Sequence, residues 1–147
     1  MSTQSYLPEG MPIPAPESDG LSRPFWEGLR EERILVQRCR SCGGWQWGPE
    51  WICHRCLSFD LGWEAVDGRG RIYSWERSWH PVHPALRERC PYIAVLVELP
   101  AADNVRMLGN LLGDPHQAVQ IGQEVEAVFE HHTRQQPHYT LLQWRNV

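Results

Sequence analysis

Four of the five cysteines stand as Cys39-x2-Cys42-x10-Cys53-x2-Cys56, in the run CRSCGGWQWGPEWICHRC. A Cys-x-x-Cys pair can fold as a tight knuckle with both sulfurs facing one ion. Gly43, directly after Cys42, suits the positive φ that such a turn often needs. Two knuckles supply a tetrahedral set of thiolates, the donor set of structural zinc or, as the second choice, of a rubredoxin-type iron. Four thiolates leave no open position for water. The metal expected at Cys39, Cys42, Cys53 and Cys56 is therefore a structural staple, whose binding free energy is part of the folding free energy. Arg38, Arg40 and Arg55 flank the ligands and could offset the negative charge of the cluster. His54 lies between two ligands, which points it outward. Trp45, Trp47 and Trp51, between the cysteine pairs, could be a miniature core or a surface that another protein recognises.

The remaining reactive side chains form no self-sufficient catalytic set. Cys90 precedes Pro91 in a loop and reads as a free thiol; pairing with His80 or His83 as a nucleophile is the alternative. His80 and His83, in HPVHP, read as surface histidines. His131 and His132 are adjacent, so a strand would send them to opposite faces. Glu98 reads as a strand-end carboxylate meeting solvent, with a buried base as the alternative. There is no G-x-S-x-G and no phosphate-cradling glycine loop. All fourteen basic residues are arginine, which excludes a Schiff-base or P-loop lysine. Net charge −4 and pI near 5.9 argue against a phosphate-tracking nucleic-acid surface.

The elements that must hold these residues follow from punctuation and period. Residues 1–22 hold four prolines in their first twenty positions and read as an extended or disordered arm. SRPFWEGLREERI gives a short helix in segment 23–33, with Ser22 as N-cap and Pro24 in the first turn. Its apolar residues Phe25, Trp26 and Leu29 either dock on the chain's own core or receive a partner, since so short a helix is marginal alone. ILVQRC (34–39) is a strand leading into the metal segment, and residues 34–62 form the ribbon. Residues 63–147 read as strands: 70–79, 92–99, 105–113, 123–131 and 138–144. In the first of these, Arg71, Tyr73, Trp75, Arg77 and Trp79 share a face. Tyr73 and Trp75 are expected in the core, leaving Trp79 exposed. YIAVLVEL is apolar on both faces and should be central. Five strands without a long helix suggest a small antiparallel barrel of the OB type, so the fold class is mainly β.

The ordered series FWEGL, LVQRCRSCGGWQWGPEWICHRC, GRGRIYSW, PYIAVLVELP, MLGNLLGD and IGQEVEAVF resembles the zinc-ribbon plus OB-fold family of acyl-CoA-associated proteins, long catalogued as a domain of unknown function. The likeness runs over about residues 24–145. Such proteins commonly carry a proline inside, and a glycine after, the second cysteine pair, where this chain has CHRCLS. The resemblance implies a small accessory subunit of a thiolase, thiolase-like aldolase, synthase or hydratase, in a hetero-oligomer of α2β2 type. Benzoylsuccinyl-CoA thiolase has a small subunit of this kind. The partner would hold the catalytic groups, and the barrel would help wall its acyl-CoA channel.

On that reading Trp79, Tyr92, Ile93, Asn110 and Leu111 contact the acyl-CoA channel, and Phe25, Trp26 and Leu29 dock the partner. The chain alone is expected to be inactive, serving degradation of an aromatic or steroid acyl-CoA. The alternatives are a nucleic-acid-binding module and a stand-alone acyl-CoA hydratase or hydrolase. No stretch reaches the roughly 20 apolar residues of a membrane span, and no signal peptide is visible, so the cytoplasm is the expected compartment.

Overall fold

The structure, a computed structural model, describes residues 8, 11–13, 19–134 and 136–147. Most of the expected N-terminal arm, at 1–7, 9–10 and 14–18, lies outside the described residues. The first element is α1, Arg23–Arg30. Ser22 occupies the N-cap position, but its hydroxyl makes no capping bond. The backbone carbonyl of Ser22 instead accepts from the N–H groups of Phe25 and Trp26, at 3.1 and 3.3 Å. The helix stops where Glu32 turns to φ 57°. That left-handed step lets the Arg33 N–H reach back to the Gly28 carbonyl at 2.8 Å.

Three strands build the ribbon sheet: β1 Ile34–Cys39, β2 Trp45–Gln46 and β3 Leu61–Val66, in the order β2-β1-β3. β1 pairs antiparallel with β3 along its whole length, from Ile34 opposite Val66 to Cys39 opposite Leu61. The ribbon sheet therefore runs on to Val66.

The barrel follows as β4 Arg69–Ser78, β5 Tyr92–Leu99, β6 Val105–Asn110, β7 Glu124–His132 and β8 Tyr139–Asn146. Their order is β6-β5-β4-β7-β8, all antiparallel. The outer strands β6 and β8 then meet in parallel, at a bridge between Leu111 and Trp144. Gly109 permits that approach: a Cβ there would stand 2.7 Å from the Leu142 carbonyl oxygen and from the Trp144 ring. This nearly closed five-stranded barrel is the OB architecture expected from the strand pattern.

β5 is an inner strand, as its apolar run implies. Ile93, Val95, Val97 and Leu99 are buried on one face, and the alternate residues are half-buried. One core joins these side chains to Ile72, Met107, Val125, Leu142 and Trp144, and also to Ile34 and Val36 of the ribbon and Phe25 and Leu29 of α1. α1 packs against β1 of the ribbon and against β7 and β8 of the barrel. The helix thus joins the two modules.

β4 departs from simple alternation. Its register on β5 shifts between Ile72 and Ser74, a bulge that leaves Tyr73 unpaired. Arg71 and Trp75 consequently fall on opposite sides, where a regular strand would put them together. Neither aromatic is core: Tyr73 is 44% exposed and Trp75 36%. The inward residue of this stretch is Ile72, 1% exposed.

Candidate metal centre and surrounding surfaces

β1 delivers Cys39 into the first knuckle, and the turn after it brings Cys42 round. The Cys39 carbonyl accepts from Gly43 N–H at 2.8 Å, and Gly43 sits at φ 73°, as the sequence suggests. The second knuckle repeats the plan, with Leu57 N–H donating to the Cys53 carbonyl at 2.9 Å. The residue there in the left-handed region is Leu57, at φ 62°, in place of a glycine. The four sulfurs of Cys39, Cys42, Cys53 and Cys56 lie within 4.8 Å of one another. Across the knuckles, Cys39 Sγ is 3.6 Å from Cys56 Sγ, and Cys42 Sγ is 3.7 Å from Cys53 Sγ.

Backbone N–H groups point at these sulfurs: Cys42 N to Cys39 Sγ at 3.5 Å, Gly44 N to Cys42 Sγ and Arg55 N to Cys53 Sγ, both at 3.4 Å. Such bonds favour thiolate over thiol. The N–H groups of Cys56 and Arg55 bring Cys53 down to about 6, and bonding led by the Cys42 N–H lowers Cys39. Cys56 goes the other way. The Ser58 N–H favours its thiolate, but burial and the three neighbouring sulfurs outweigh that and raise it to about 12. Without a cation the cluster keeps a proton, because adjacent thiolates repel. A divalent ion removes that repulsion, so the donor set and its geometry fit zinc closed off by four sulfurs.

The flanking arginines do not face the cluster with free charge. Arg38 pairs with Glu64 at 3.0 Å, Arg40 with Asp60 at 3.0 Å and Arg55 with Asp103 at 2.8 Å. The last of these ties the second knuckle to the turn between β5 and β6. His54 is exposed and stands outside the sulfur set, as expected from its position between ligands.

Two buried glutamines, which the sequence did not single out, hold the segment between the knuckles. Gln46 Nε2 donates to Gln37 Oε1 at 3.0 Å and to the Ile52 carbonyl at 3.2 Å. Gln37 Nε2 donates to the Glu50 carbonyl and its Oε1 accepts from Glu50 N–H, each at 3.0 Å. His54 N–H closes the clamp on Gln46 Oε1 at 3.2 Å. The three tryptophans divide accordingly. Trp45 lies under the Arg38 guanidinium at 4.8 Å, and Trp47 packs on Phe25 with centroids 4.5 Å apart. Trp51 is 60% exposed.

The other selected residues separate by burial. Leu29 and Phe25 are in the chain's own core, and Trp26 is half-buried beside them, 5.2 Å from the Phe25 ring. The apolar face of α1 is therefore spent on this chain, which corrects its reading as a partner-docking face. Ile93 and Leu111 are likewise core residues and are not surface contacts. The reason is period two: Tyr92 and Ile93 are neighbours on one strand and must face opposite ways. Tyr92 and Asn110 are half-buried, and Trp79 is exposed with its ring 5.7 Å from that of His116. Asn110 donates from N–H and Nδ2 to Gln143 Oε1, at 2.7 and 3.2 Å.

The histidines diverge as adjacency requires. His131 spans Glu32 and Thr140, while His132 bonds the buried Glu130 at 2.8 Å and stacks on Tyr139 at 4.5 Å. His83 Nδ1 accepts the Ala85 N–H at 3.2 Å, which commits it to capping a turn. Glu98 pairs with Arg106, whose guanidinium also covers Tyr73 at 3.6 Å. Two hollows, of about 230 and 380 Å³, flank Arg69 and Glu124–Glu126.

A four-sulfur ribbon locked onto a five-stranded OB barrel defines the class. Residues 26–62 match the ChsH2 rubredoxin-like zinc ribbon domain, and residues 63–130 match the ChsH2 C-terminal OB-fold domain. The fold also matches a chain of the solved "Ltp2-ChsH2(DUF35) aldolase", with TM-score 0.75 and 30% identity, over 91% of this chain and 98% of that one. The protein belongs to the ChsH2-like zinc-ribbon/OB-fold family, DUF35. A probable enoyl-CoA hydratase alpha subunit of Thermomonospora curvata is 36% identical over 104 residues, 69% of this chain and 31% of that protein. The 3-oxo-4,17-pregnadiene-20-carboxyl-CoA hydratase alpha subunit of Mycobacterium tuberculosis is 28% identical over 135 residues, 84% of this chain and 42% of that protein. The chain thus spans less than half the length of these two relatives. Among the described residues no helix is long and apolar enough to cross a membrane.

Proposed function

We propose that this chain is a non-catalytic, zinc-binding subunit of an acyl-CoA thiolase or thiolase-like aldolase complex. It stabilises a catalytic partner in an α2β2 assembly and supplies part of the wall of that partner's acyl-CoA channel. The substrate would be an aromatic or steroid acyl-CoA. The observation that supports this best is the likeness, over nearly the full length of both chains, to a chain of the solved "Ltp2-ChsH2(DUF35) aldolase". The site chemistry agrees with it. A closed four-thiolate metal has no position for substrate, and three of the histidines are engaged, His132 with Glu130, His131 with Glu32 and His83 with a turn. The exposed Trp51, Trp75, Trp79 and Leu108 are the kind of surface that a partner covers.

Two relatives named as hydratase alpha subunits make a hydratase partner the second reading. The test is affinity purification of the tagged chain from its own host, with mass spectrometry of the co-purifying subunit. A thiolase-fold protein that cleaves an acyl-CoA only with this chain present supports the first reading. A hydratase supports the second. A monomeric chain that turns over acyl-CoA unaided overturns both.

A further inference from the structure

We propose that the cysteine cluster is an oxidation site that releases its metal, with disulfides closing across the knuckles from Cys39 to Cys56 and from Cys42 to Cys53. This rests on the zinc assignment above. Each knuckle has one buried cysteine, Cys39 or Cys53, and one exposed, Cys42 or Cys56. The short sulfur–sulfur contacts of 3.6 and 3.7 Å each join an exposed sulfur of one knuckle to a buried sulfur of the other. An oxidant arriving from solvent therefore meets Cys42 or Cys56 first, and the resolving sulfur already lies beside it. The guanidinium heads of Arg38, Arg40 and Arg55 are engaged by carboxylates, so none blocks these sulfurs as an ion-pair partner.

The oxidant class is a hydroperoxide. The exposed thiolate attacks the O–O bond and takes the terminal oxygen, becoming a sulfenic acid while the remainder leaves as alcohol or water. The buried thiolate then attacks the sulfenic sulfur, forming the S–S bond and expelling hydroxide, which is protonated to water. Each disulfide consumes two thiolates, one hydroperoxide and two protons, and the two electrons go to the peroxide. Disulfide sulfur is no longer a thiolate ligand, and the ion departs. Beside the disulfides, the glutamine clamp then holds the second knuckle on the ribbon and the Arg55–Asp103 pair holds it on the barrel.

The sequence offers a clean assay. Trypsin cuts after Arg38, Arg40, Arg55 and Arg69, giving 39–40, 41–55 and 56–69. The proposed pairing leaves 41–55 with an internal disulfide, and 39–40 joined to 56–69. Both other pairings tie all three peptides together. The experiment treats the zinc-loaded full chain and Cys90→Ser with hydrogen peroxide, follows zinc with a chromophoric chelator, and maps disulfides without reduction. We expect the same loss of zinc from both proteins, the two separate disulfide species, and recovery of bound zinc on adding thiol reductant and zinc. Zinc retained while Cys90 is oxidised, a three-peptide species, or release abolished in Cys90→Ser each overturns the proposal. A chain that carries no zinc before peroxide overturns the metal assignment instead.

Discussion

Cys39 illustrates how much rests on one side chain. It is buried, ends β1 and joins both knuckles through sulfur, so Cys39→Ser removes a ligand and leaves a hydroxyl in a sulfur pocket. We expect the variant to lose stoichiometric zinc and to unfold the ribbon, since structural zinc is worth on the order of 10 kcal/mol in small domains. Metal analysis and denaturant unfolding read this; a variant that keeps zinc and full stability sinks the staple reading. Acid should release the metal by the same logic. Binding needs every thiolate, and protons compete for them, so chelators should strip zinc more readily as pH falls.

Tyr139 gives the opposite window. Burial, and then the Glu130 charge, raise its phenol above the ordinary 10.0. A raised folded value means the neutral phenol is favoured in the fold. Its contribution is complete below about pH 10 and is lost as pH climbs through the folded value. Unfolding midpoints measured across that range should drop in the native chain, and the drop should shrink in Tyr139→Phe.

Elements show where the sequence speaks and where it is silent. The strand at 34–39 and the apolar strand at 92–99 were legible to the residue, because short runs rich in apolar and β-branched residues, too short for a helix and bounded by charged residues or proline, favour a strand. The four ligands were legible because their spacing is the geometry. The bulge after Ile72 was not, since one unpaired residue leaves no mark in composition yet reverses the side chains beyond it. The inward place that the alternation offered to Tyr73 and Trp75 is taken by Ile72, and both aromatics stay exposed. The α1 stripe was visible, but an amphipathic stripe looks the same whether it faces its own barrel or another protein. The fully buried Leu29 settles the matter, and Leu29→Ala should cost about 2–5 kcal/mol in unfolding free energy. Gly109→Ala tests the barrel seam. Its methyl would press on the Leu142 carbonyl and the Trp144 ring, and we expect a loss of about 1–3 kcal/mol. A neutral result would mean that β6 and β8 are not in close contact in solution.

At the scale of the whole molecule, stability and recognition sit on different surfaces. The core runs from α1 through both sheets, while Trp51, Trp79 and Leu108 remain outside it. Exchanging Trp79 for alanine should leave the unfolding free energy within about 0.5 kcal/mol, as for other exposed positions. Under the proposed function it should weaken capture of the catalytic subunit, read by pull-down against the unaltered chain. Equal capture by Trp79→Ala would remove that residue from the interface and leave the fold untouched.

The packing of α1 on both sheets has a further consequence, for how such a unit can be inherited. A cut at the ribbon–barrel junction looks natural in the sequence, yet it would strip Phe25 and Leu29 from the strands they cover and break the Arg55–Asp103 tie. Two fragments would result, each with bare apolar surface. The unit is a single cassette from α1 to β8. Any fusion, transplant or recombination that keeps it working has to move residues 23–146 together.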